Sequence, residues 1–527
     1  MLITPAQTMV RHIYMPPEHC WINQPIPSSL GKSECARPCL YIVAPICKYT
    51  YMEGATNNDN RLSTVEVARL VGVHKDTLLR WLRGGLIREP SRDRHGWRYF
   101  TQAEAEAVAA FARSSSEAQS PAVAASVVEE RAAPYLGRLS VVDWDFAGAK
   151  TSYLTHGIHP YPAKFIPQIP NALIQELSGV GDTVGDIFCG SGTTLVEALT
   201  LKRHAVGIDA NPLACLITRA KTGGCSDSDR EALLALAQRA RTIGDSLLPS
   251  AAEDDLFSPP KFVSQHWRPP FDKLTFWFDQ HVIEELAEAL SWCREAESDV
   301  ARDLALTAFS SIVVAVSRQD SDTRYVRREK NIPPGDTLRR FARSLEQIIQ
   351  AATEFSDVVE SRFRCQVVQA NLLEAPSIPT LDLVVCSPPY PNAYSYHLYH
   401  MTRMIWLGMD QPRFKKVEIG SHRKYSSNGK NGATAETFKA EFSSILLWLS
   451  TKLRQGGYAC FVVGDSTLKG QRINNADLIA QAGEAAGFRE VMRINRTMQA
   501  TKKAFNPAIG KIKTENILIL GSQGRKT

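Results

Sequence analysis

What the chain lacks narrows its class first. No stretch of eighteen consecutive apolar residues occurs in its 527 positions, so no membrane-spanning helix is expected. No apolar core follows the basic residues near the start, so that segment does not read as a signal peptide. Among eleven cysteines, only Cys35 and Cys39 lie near each other, and no pair has the two-residue gap of a zinc knuckle. A metal site is therefore not expected. The remaining cysteines are scattered, several within apolar runs, which fits reduced cytoplasmic thiols better than a disulfide framework. Charge is not extreme either. A net charge of +6 with 22% charged residues permits a nucleic-acid partner without demanding one. A chain of this length exceeds one core and suggests about two to four domains.

What is present centres on Ser387-Pro388-Pro389-Tyr390. It follows the apolar run Leu381-Asp382-Leu383-Val384-Val385-Cys386, which reads as a buried parallel strand. Two prolines cannot continue a ladder, so the strand stops there. The stiff end presents a small polar residue, a proline carbonyl and an aromatic ring at the sheet edge where open α/β folds bind ligands. Such a clamp suits a planar ring bearing an amine. A plain proline-stopped strand is the bland reading.

A second motif lies upstream. The strand Val184-Gly185-Asp186 runs through Ile187-Phe188-Cys189 into Gly190-Ser191-Gly192, then into a helical pattern from Thr193. Glycines there allow positive φ and close approach of a ligand to the backbone. No Gly-Lys-Ser/Thr follows, so this is not a P-loop. The next strand, His204 to Ile208, ends at Asp209, placed to accept from ribose hydroxyls. A third, Gln366 to Ala370, ends at Asn371, whose amide both donates and accepts and suits a loop cap.

Together these residues resemble the amino-methyltransferases of DNA, over roughly residues 140–521. Asp186-Ile187-Phe188-Cys189-Gly190-Ser191-Gly192-Thr193-Thr194 is similar to their cofactor loop, with Ile187 where proline is usual. Ser387-Pro388-Pro389-Tyr390 resembles their catalytic motif in its cytosine-N4 form. His159-Pro160-Tyr161-Pro162-Ala163-Lys164-Phe165 resembles the segment that packs on the cofactor before the first strand. Phe461 to Ser466 and Thr514 to Leu520 look like later strands of the sheet. The resemblance implies a Rossmann-like methyltransferase sheet over 139–521 with a helical insertion at 222–360 for target recognition. It implies S-adenosyl-L-methionine as cofactor, held by Tyr161, Lys164, Phe165, Asp186 (near the cofactor's amino group), Phe188, Gly190, Gly192, Thr193, Asp209 and Asn371. It implies catalysis by Ser387, Pro388, Pro389 and Tyr390 without a metal. It also implies double-stranded DNA as substrate, a cytoplasmic location and a cognate restriction endonuclease as companion.

The N-terminal part reads separately. Residues 1–60 lack any helical or strand period, so disorder is expected, or a true start at Met52. Over 61–112, Ser63-Thr64-Val65-Glu66 is a capping box, followed by a helix, a turn at Gly72 and a second helix near Lys75–Arg83. That helix should expose His74, Lys75, Thr77 and Arg80 and bury Leu78, Leu79 and Trp81. Short strands flank Gly96, and a third helix starts near Gln102. This module resembles the winged helix-turn-helix headpiece of the MerR family. The resemblance implies DNA contact by Lys75, Thr77, Arg80, Arg92, Arg94 and Arg98; a protein-contact module is the alternative. Residues 113–138 read as a linker. Within the insertion, helices are expected at Asp303–Val316 and Arg339–Ala352. The arginines of Ser317–Arg328 suit phosphates or a solvated loop equally. A mobile basic loop is expected over Arg413–Lys430, with Arg423 and Lys424 on DNA.

Carbon-5 chemistry needs a cysteine nucleophile after proline, and the only such dipeptide is Pro38-Cys39. Adenine-N6 methylation, RNA methylation and an inactive DNA-binding regulator remain as alternatives to cytosine-N4 methylation.

Overall fold

The computed structural model describes residues 61–71, 78–79, 81–82, 87–91, 98–114, 136–146, 148–248, 262–389, 391, 394–425, 433–468, 470–497 and 514–523. The expectations for residues 1–60, Lys75, Thr77, Arg80, Arg92, Arg94, the strands beside Gly96, most of the linker and Tyr390 lie outside the described residues. The chain divides into two units, Met1–Ser116 and Glu117–Thr527.

In the first unit, β1 (Arg61–Ser63) pairs antiparallel with β2 (Tyr99–Thr101). Helices Thr64–Val71 and Gln102–Ser114 follow these strands. Each begins with reciprocal capping. The Ser63 N–H donates to the Glu66 carboxylate at 2.7 Å and the Glu66 N–H to Ser63 Oγ at 3.3 Å; Thr101 and Glu104 repeat the device. Two otherwise orphaned amides are satisfied each time. Val67, Ala68, Leu78, Leu82, Phe100, Ala105 and Val108 form the core. Leu79 and Trp81, expected inside, are half-buried. Trp81 instead packs edge-on against Phe111, with ring centres 5.2 Å apart.

The second unit is built on a sheet. In chain order its strands are β3 (Thr183–Asp186), β4 (His204–Asp209), the hairpin β5 (Gln319–Ser321) and β6 (Arg324–Arg327), β7 (Cys365–Gln369), β8 (Leu381–Cys386), β9 (Leu453–Gly464), the small pair β10 (Ser466–Leu468) and β11 (Gln471–Ile473), β12 (Phe488–Thr497) and β13 (Thr514–Ser522). The main sheet has seven strands in the order β12-β13-β9-β8-β3-β4-β7. The five from β9 to β7 are parallel. β13 runs antiparallel to both β9 and β12. From β3 the chain moves outward to β4 and β7, then returns to the other side of β3 as β8. The order therefore reverses between β3 and β8, and the carboxyl ends of these two strands splay into a crevice.

The interior strands are nearly continuous apolar runs because helices cover both faces. Leu381, Leu383, Val384, Val385 and Cys386 are all buried. β12 was not anticipated. It is an edge strand bearing Arg489, Glu490, Arg493 and Arg496, charges that suit an edge and obscure a strand pattern.

Between β4 and β7 lie helices Pro212–Thr222, Asp227–Ser246, Gln280–Arg294, Asp299–Val316 and Asp336–Val358. They have a core of their own, including Leu286, Phe309, Phe341 and Leu345, closed by Trp406 from helix Met401–Leu407. Helices expected at 303–316 and 339–352 start earlier, because Ser298 caps the first and the Glu285 carboxylate accepts from Gly335 and Leu338 N–H at the start of the second. Gly335 has φ +80°, and a Cβ there would sit 2.0 Å from the Gly244 carbonyl oxygen. The β5–β6 hairpin is fastened to the segment that follows β8. Thr402 Oγ1 donates to Gln319 Oε1 at 3.0 Å, and Gln319 Nε2 donates to the Tyr399 carbonyl at 3.2 Å. The wholly buried Arg403 donates to the Ser310 carbonyl at 2.8 Å and to Asp322.

No helix among the described residues is long and apolar enough to cross a membrane. The seven described cysteines are free thiols, and no group of potential metal ligands occurs among the described residues.

Glu197, buried on helix Thr193–Thr200, gathers the segment ahead of the sheet. It accepts from Tyr153 Oη at 2.6 Å and Asn171 Nδ2 at 2.6 Å, and contacts His156 Nε2 at 2.7 Å. Burial lowers the His156 imidazole below its usual range despite the adjacent carboxylate, so His156 serves as a neutral donor. Removing Glu197 leaves three donors unpaired, so Glu197→Ala should lower stability by roughly 3 kcal/mol or more, at about 1–3 kcal/mol per orphaned buried donor. Glu197→Gln, which keeps one acceptor, should lose less. Urea denaturation of the full chain checks this; equal stability of Glu197→Ala and wild type would remove Glu197 from the framework.

Candidate active site

Two strand ends build the site. β3 ends at Asp186, and the following turn needs left-handed backbone at Gly190 (φ +50°) and Gly192 (φ +78°). A Cβ on Gly192 would also approach Thr218 Cγ2 to 2.9 Å. Asp186 Oδ1 accepts the Phe188 N–H at 3.1 Å, holding the turn from below. The Gly190 N–H donates to Asp209 Oδ2 at 2.9 Å, and the Asn211 N–H donates to Asp209 Oδ1 at 2.8 Å. Thr218 Oγ1 closes the far side by donating to the Gly190 carbonyl at 3.0 Å.

The second strand end is β8. Ser387 Oγ donates to the Val462 carbonyl of β9 at 3.1 Å, so its lone pairs are the free part of the hydroxyl. Thr194 Oγ1, in the helix after the glycine turn, donates to the Val385 carbonyl at 3.1 Å. That bond ties the glycine turn to the strand carrying Ser387.

The two ends share one cleft of about 280 Å³. Tyr161, Lys164, Phe165, Phe188, Gly190, Thr193, Asp209, Asn371, Ser387, Pro388 and Pro389, all singled out from the sequence, line it. Asp186 and Gly192 do not; they stand behind the wall and shape the turn. Asn371 Oδ1 accepts the Leu373 N–H at 3.1 Å, capping the turn Leu372–Glu374. It caps a turn and lines the cleft at once.

Burial dominates the electrostatics. It pushes the Asp186 carboxyl up to about 7, opposed by the hydrogen bond from the Phe188 N–H. It pushes Asp209 up to about 6, opposed by the Asn211 and Gly190 N–H groups. The Tyr161 ring packs against Tyr396 (5.8 Å) and His400 (5.0 Å). Burial raises its phenol well above the usual value. Ser191 Oγ is buried in the cleft wall without a hydrogen-bond partner.

Sequence reasoning missed Ser191, Asn211, Phe414 and Glu418 as lining residues. It placed Glu418 only within a basic loop. The flanking Val417 and Ile419 were the available signal that this stretch turns inward. The loop expected over Arg413–Lys430 is largely helical where described, in Gln411–Val417 and His422–Tyr425. Of the expected DNA contacts, Arg423 is exposed, Lys424 pairs with Glu441, and Arg98 pairs with Glu89 at 2.7 Å.

Residues 114–219, which include the glycine turn and Asp209, match the family model described as DNA methylase. Residues 63–100 match that of the MerR family regulatory protein. The type II methyltransferase M.MjaII of Methanocaldococcus jannaschii is 42% identical over 86 residues, 15% of this chain and 16% of that protein. M.MvaI of Kocuria varians is 31% identical over 175 residues, 33% of this chain and 36% of that one. M.BsoBI of Geobacillus stearothermophilus is 23% identical over 319 residues, 54% and 58%. The chain thus spans less than two thirds of each relative. An rRNA methyltransferase from Streptomyces viridochromogenes overlaps 73% of this chain and 96% of its own at 11% identity, with a TM-score of 0.27 that carries no argument. Around the glycine turn, this chain is similar to DNA methyltransferases.

Proposed function

We propose that this protein transfers a methyl group from S-adenosylmethionine to the exocyclic N4 amine of cytosine in duplex DNA. It acts in the cytoplasm, in a restriction–modification or phage-defence setting. The observation that carries the reading is the shared cleft: Ser387, at the end of β8, opens onto the same space as the glycine turn and Asp209. The similarity to DNA methylases over 114–219 supports it.

The cleft residues fit the cofactor. Each carboxylate oxygen has two acceptor sites, so Asp209 keeps capacity for ribose hydroxyls beyond the two N–H groups it accepts. The unpartnered Ser191 hydroxyl would add a polar contact, Asn371 would meet the adenine edge, and the turn Gly190–Gly192 would hold the methionine end. When bound, the cofactor supplies an electrophilic methyl group on a sulfonium.

The chain's own residues handle the base. A cytosine amine is a weak nucleophile because its lone pair is delocalised into the ring, and it is unreachable inside the duplex, so the base must leave the stack. Ser387 Oγ and the Pro388 carbonyl accept from the amine, which favours a pyramidal nitrogen with a directed lone pair. Tyr390 stacks on the extruded ring, with Tyr394 and Tyr396 at the cleft rim. Most of the rate comes from alignment, since fixed orientation contributes up to about 7–11 kcal/mol. The helical insertion and its fastened hairpin recognise the target, and the MerR-like unit adds phosphate contacts that raise affinity.

Nucleoside mass spectrometry of DNA methylated by the purified protein tests this. N4-methylcytosine is expected; N6-methyladenine alone would replace the cytosine assignment, and no methylated base would end it. Ser387→Ala should slow methylation about fivefold, for one hydrogen bond of about 1 kcal/mol, while cofactor binding stays near wild type.

A pH profile tests Asp209. Because its folded-state carboxyl sits near 6, above the ordinary 3.8, its contribution to stability is present below about pH 4 and is lost as pH rises to about 6. Cofactor affinity should run the opposite way, rising through pH 6 as the acceptor ionises. Calorimetric titration at pH 5 and 7.5 measures it. Asp209→Asn should flatten the profile; an unchanged slope would take Asp209 out of the binding site.

A further inference from the structure

We infer that Glu418 is the counter-charge for the cofactor's sulfonium and lets the site distinguish the methylated cofactor from its demethylated product. This rests on the methyltransferase reading above.

Glu418 ends helix Gln411–Val417 and is 5% exposed, yet it lines the cleft together with Asp209 and Ser387. Two groups fix its carboxylate. Oε1 accepts the Tyr396 N–H at 2.6 Å, and Oε2 meets His397 Nδ1. Both partners belong to the segment that follows β8, so the carboxylate is set by one backbone N–H and one side chain of that segment. Among the described residues, no lysine or arginine pairs with it. Its charge reaches across the cleft, where it helps push the Asp209 carboxyl upward.

The other charged groups lining the cleft are engaged elsewhere and do not pair with that acid. Glu515 pairs with Arg496 at 2.8 Å. Lys164 donates to the His156 carbonyl at 2.9 Å, at the wall formed by the segment before β3. Asp209 binds backbone N–H groups through both oxygens. The fixed partners of Glu418 are one backbone N–H and the His397 ring, with no lysine or arginine, so a cationic ligand can stabilise this buried carboxylate further. The cofactor brings a single net positive charge. The ammonium and carboxylate of its methionine end cancel, which leaves the sulfonium.

Methyl transfer removes that charge. The amine nitrogen of the base forms the new bond to the methyl carbon and the carbon–sulfur bond breaks. Its electron pair stays on sulfur as a neutral thioether, and the nitrogen sheds a proton to water. An anion facing this cleft would therefore favour the sulfonium form before transfer and lose its attraction afterwards, which would speed product exchange.

The test is calorimetric titration of the full-length protein with S-adenosylmethionine and S-adenosylhomocysteine. Wild type should bind the sulfonium form more tightly. Glu418→Gln, which keeps an acceptor for the Tyr396 N–H, should weaken S-adenosylmethionine about tenfold, or about 1.4 kcal/mol, and the homocysteine form less than about threefold. His397→Asn, which leaves the Glu418 charge in place, should keep the ratio of the two affinities near wild type. A merely structural role for Glu418 would weaken both ligands alike, and that outcome overturns the inference. So does a wild type that prefers the neutral product, a result that needs no variant to fold. If wild type binds neither ligand, the cofactor reading itself has failed; if it binds both and Glu418→Gln leaves their ratio unchanged, only this inference has.

Discussion

The 2.9 Å hydrogen bond from the Gly190 N–H to Asp209 is the contact on which the cleft depends. It joins the turn after β3 to the last residue of β4, so two neighbouring parallel strands end in one fixed geometry. The left-handed conformations at Gly190 and Gly192 make that approach accessible, and Thr218 holds the turn from the opposite side. Thr194 then carries the same register across to β8 through the Val385 carbonyl. Three strands are thereby locked at their carboxyl ends, at the point where strand order reverses. A ligand entering there meets a preformed wall, and little ordering is charged against its binding.

The parts legible in sequence were those in which a local rule and the fold agree. Gly190-Ser191-Gly192, Asp209 and Ser387-Pro388-Pro389 carry strong backbone constraints within a few residues, and the structure brings them to one cleft, with Gly192 shaping its turn from behind. Asp186, expected near the cofactor's amino group, is buried and does not line the cleft, because a sequence shows which residue ends a strand but not which side of the wall its carboxylate faces. Glu418 and Phe414 were harder to read for a different reason, with only the apolar Val417 and Ile419 to mark the stretch. They reach the cleft only through the folding of Gln411–Val417 against Tyr396 and His397, a contact between segments with no periodic signature. β12 escaped because an edge strand has one partner, and half its positions are free to carry charge.

The helical insertion illustrates how the fold holds a distant element in place. Arg403 is buried completely, and burying a guanidinium is expensive even when paired with Asp322 and the Ser310 carbonyl. An apolar residue of similar size would cost less. What the arginine adds is direction: two donors aimed at two different elements, helix Asp299–Val316 and the β5–β6 hairpin, from a helix that begins four residues after His397. Gln319 adds a second fastening to Tyr399, and His159 Nε2 adds a third tie, meeting Ser310 Oγ at 3.0 Å. The insertion thus has its own apolar core but takes its position from polar contacts to the segment that shapes the cleft.

That division of labour explains why the polar groups here are so densely buried. Apolar packing alone tolerates sliding, since leucines and phenylalanines interdigitate in more than one register. Hydrogen bonds between buried groups do not, because a one-residue shift would orphan Arg403, Gln319 and Glu285 together, each at a cost of about 1–3 kcal/mol. The helices Gln280–Arg294 and Asp336–Val358 are held to one register by Glu285, the hairpin by Gln319 and Asp322, and the segment before the sheet by Glu197. Each of these polar groups joins elements far apart in the chain, and the contacts of Gln319, Asp322 and Glu197 run to the segments that enclose the cleft. Stability comes mainly from the apolar clusters; the buried polar pairs decide where those clusters stop relative to Ser387.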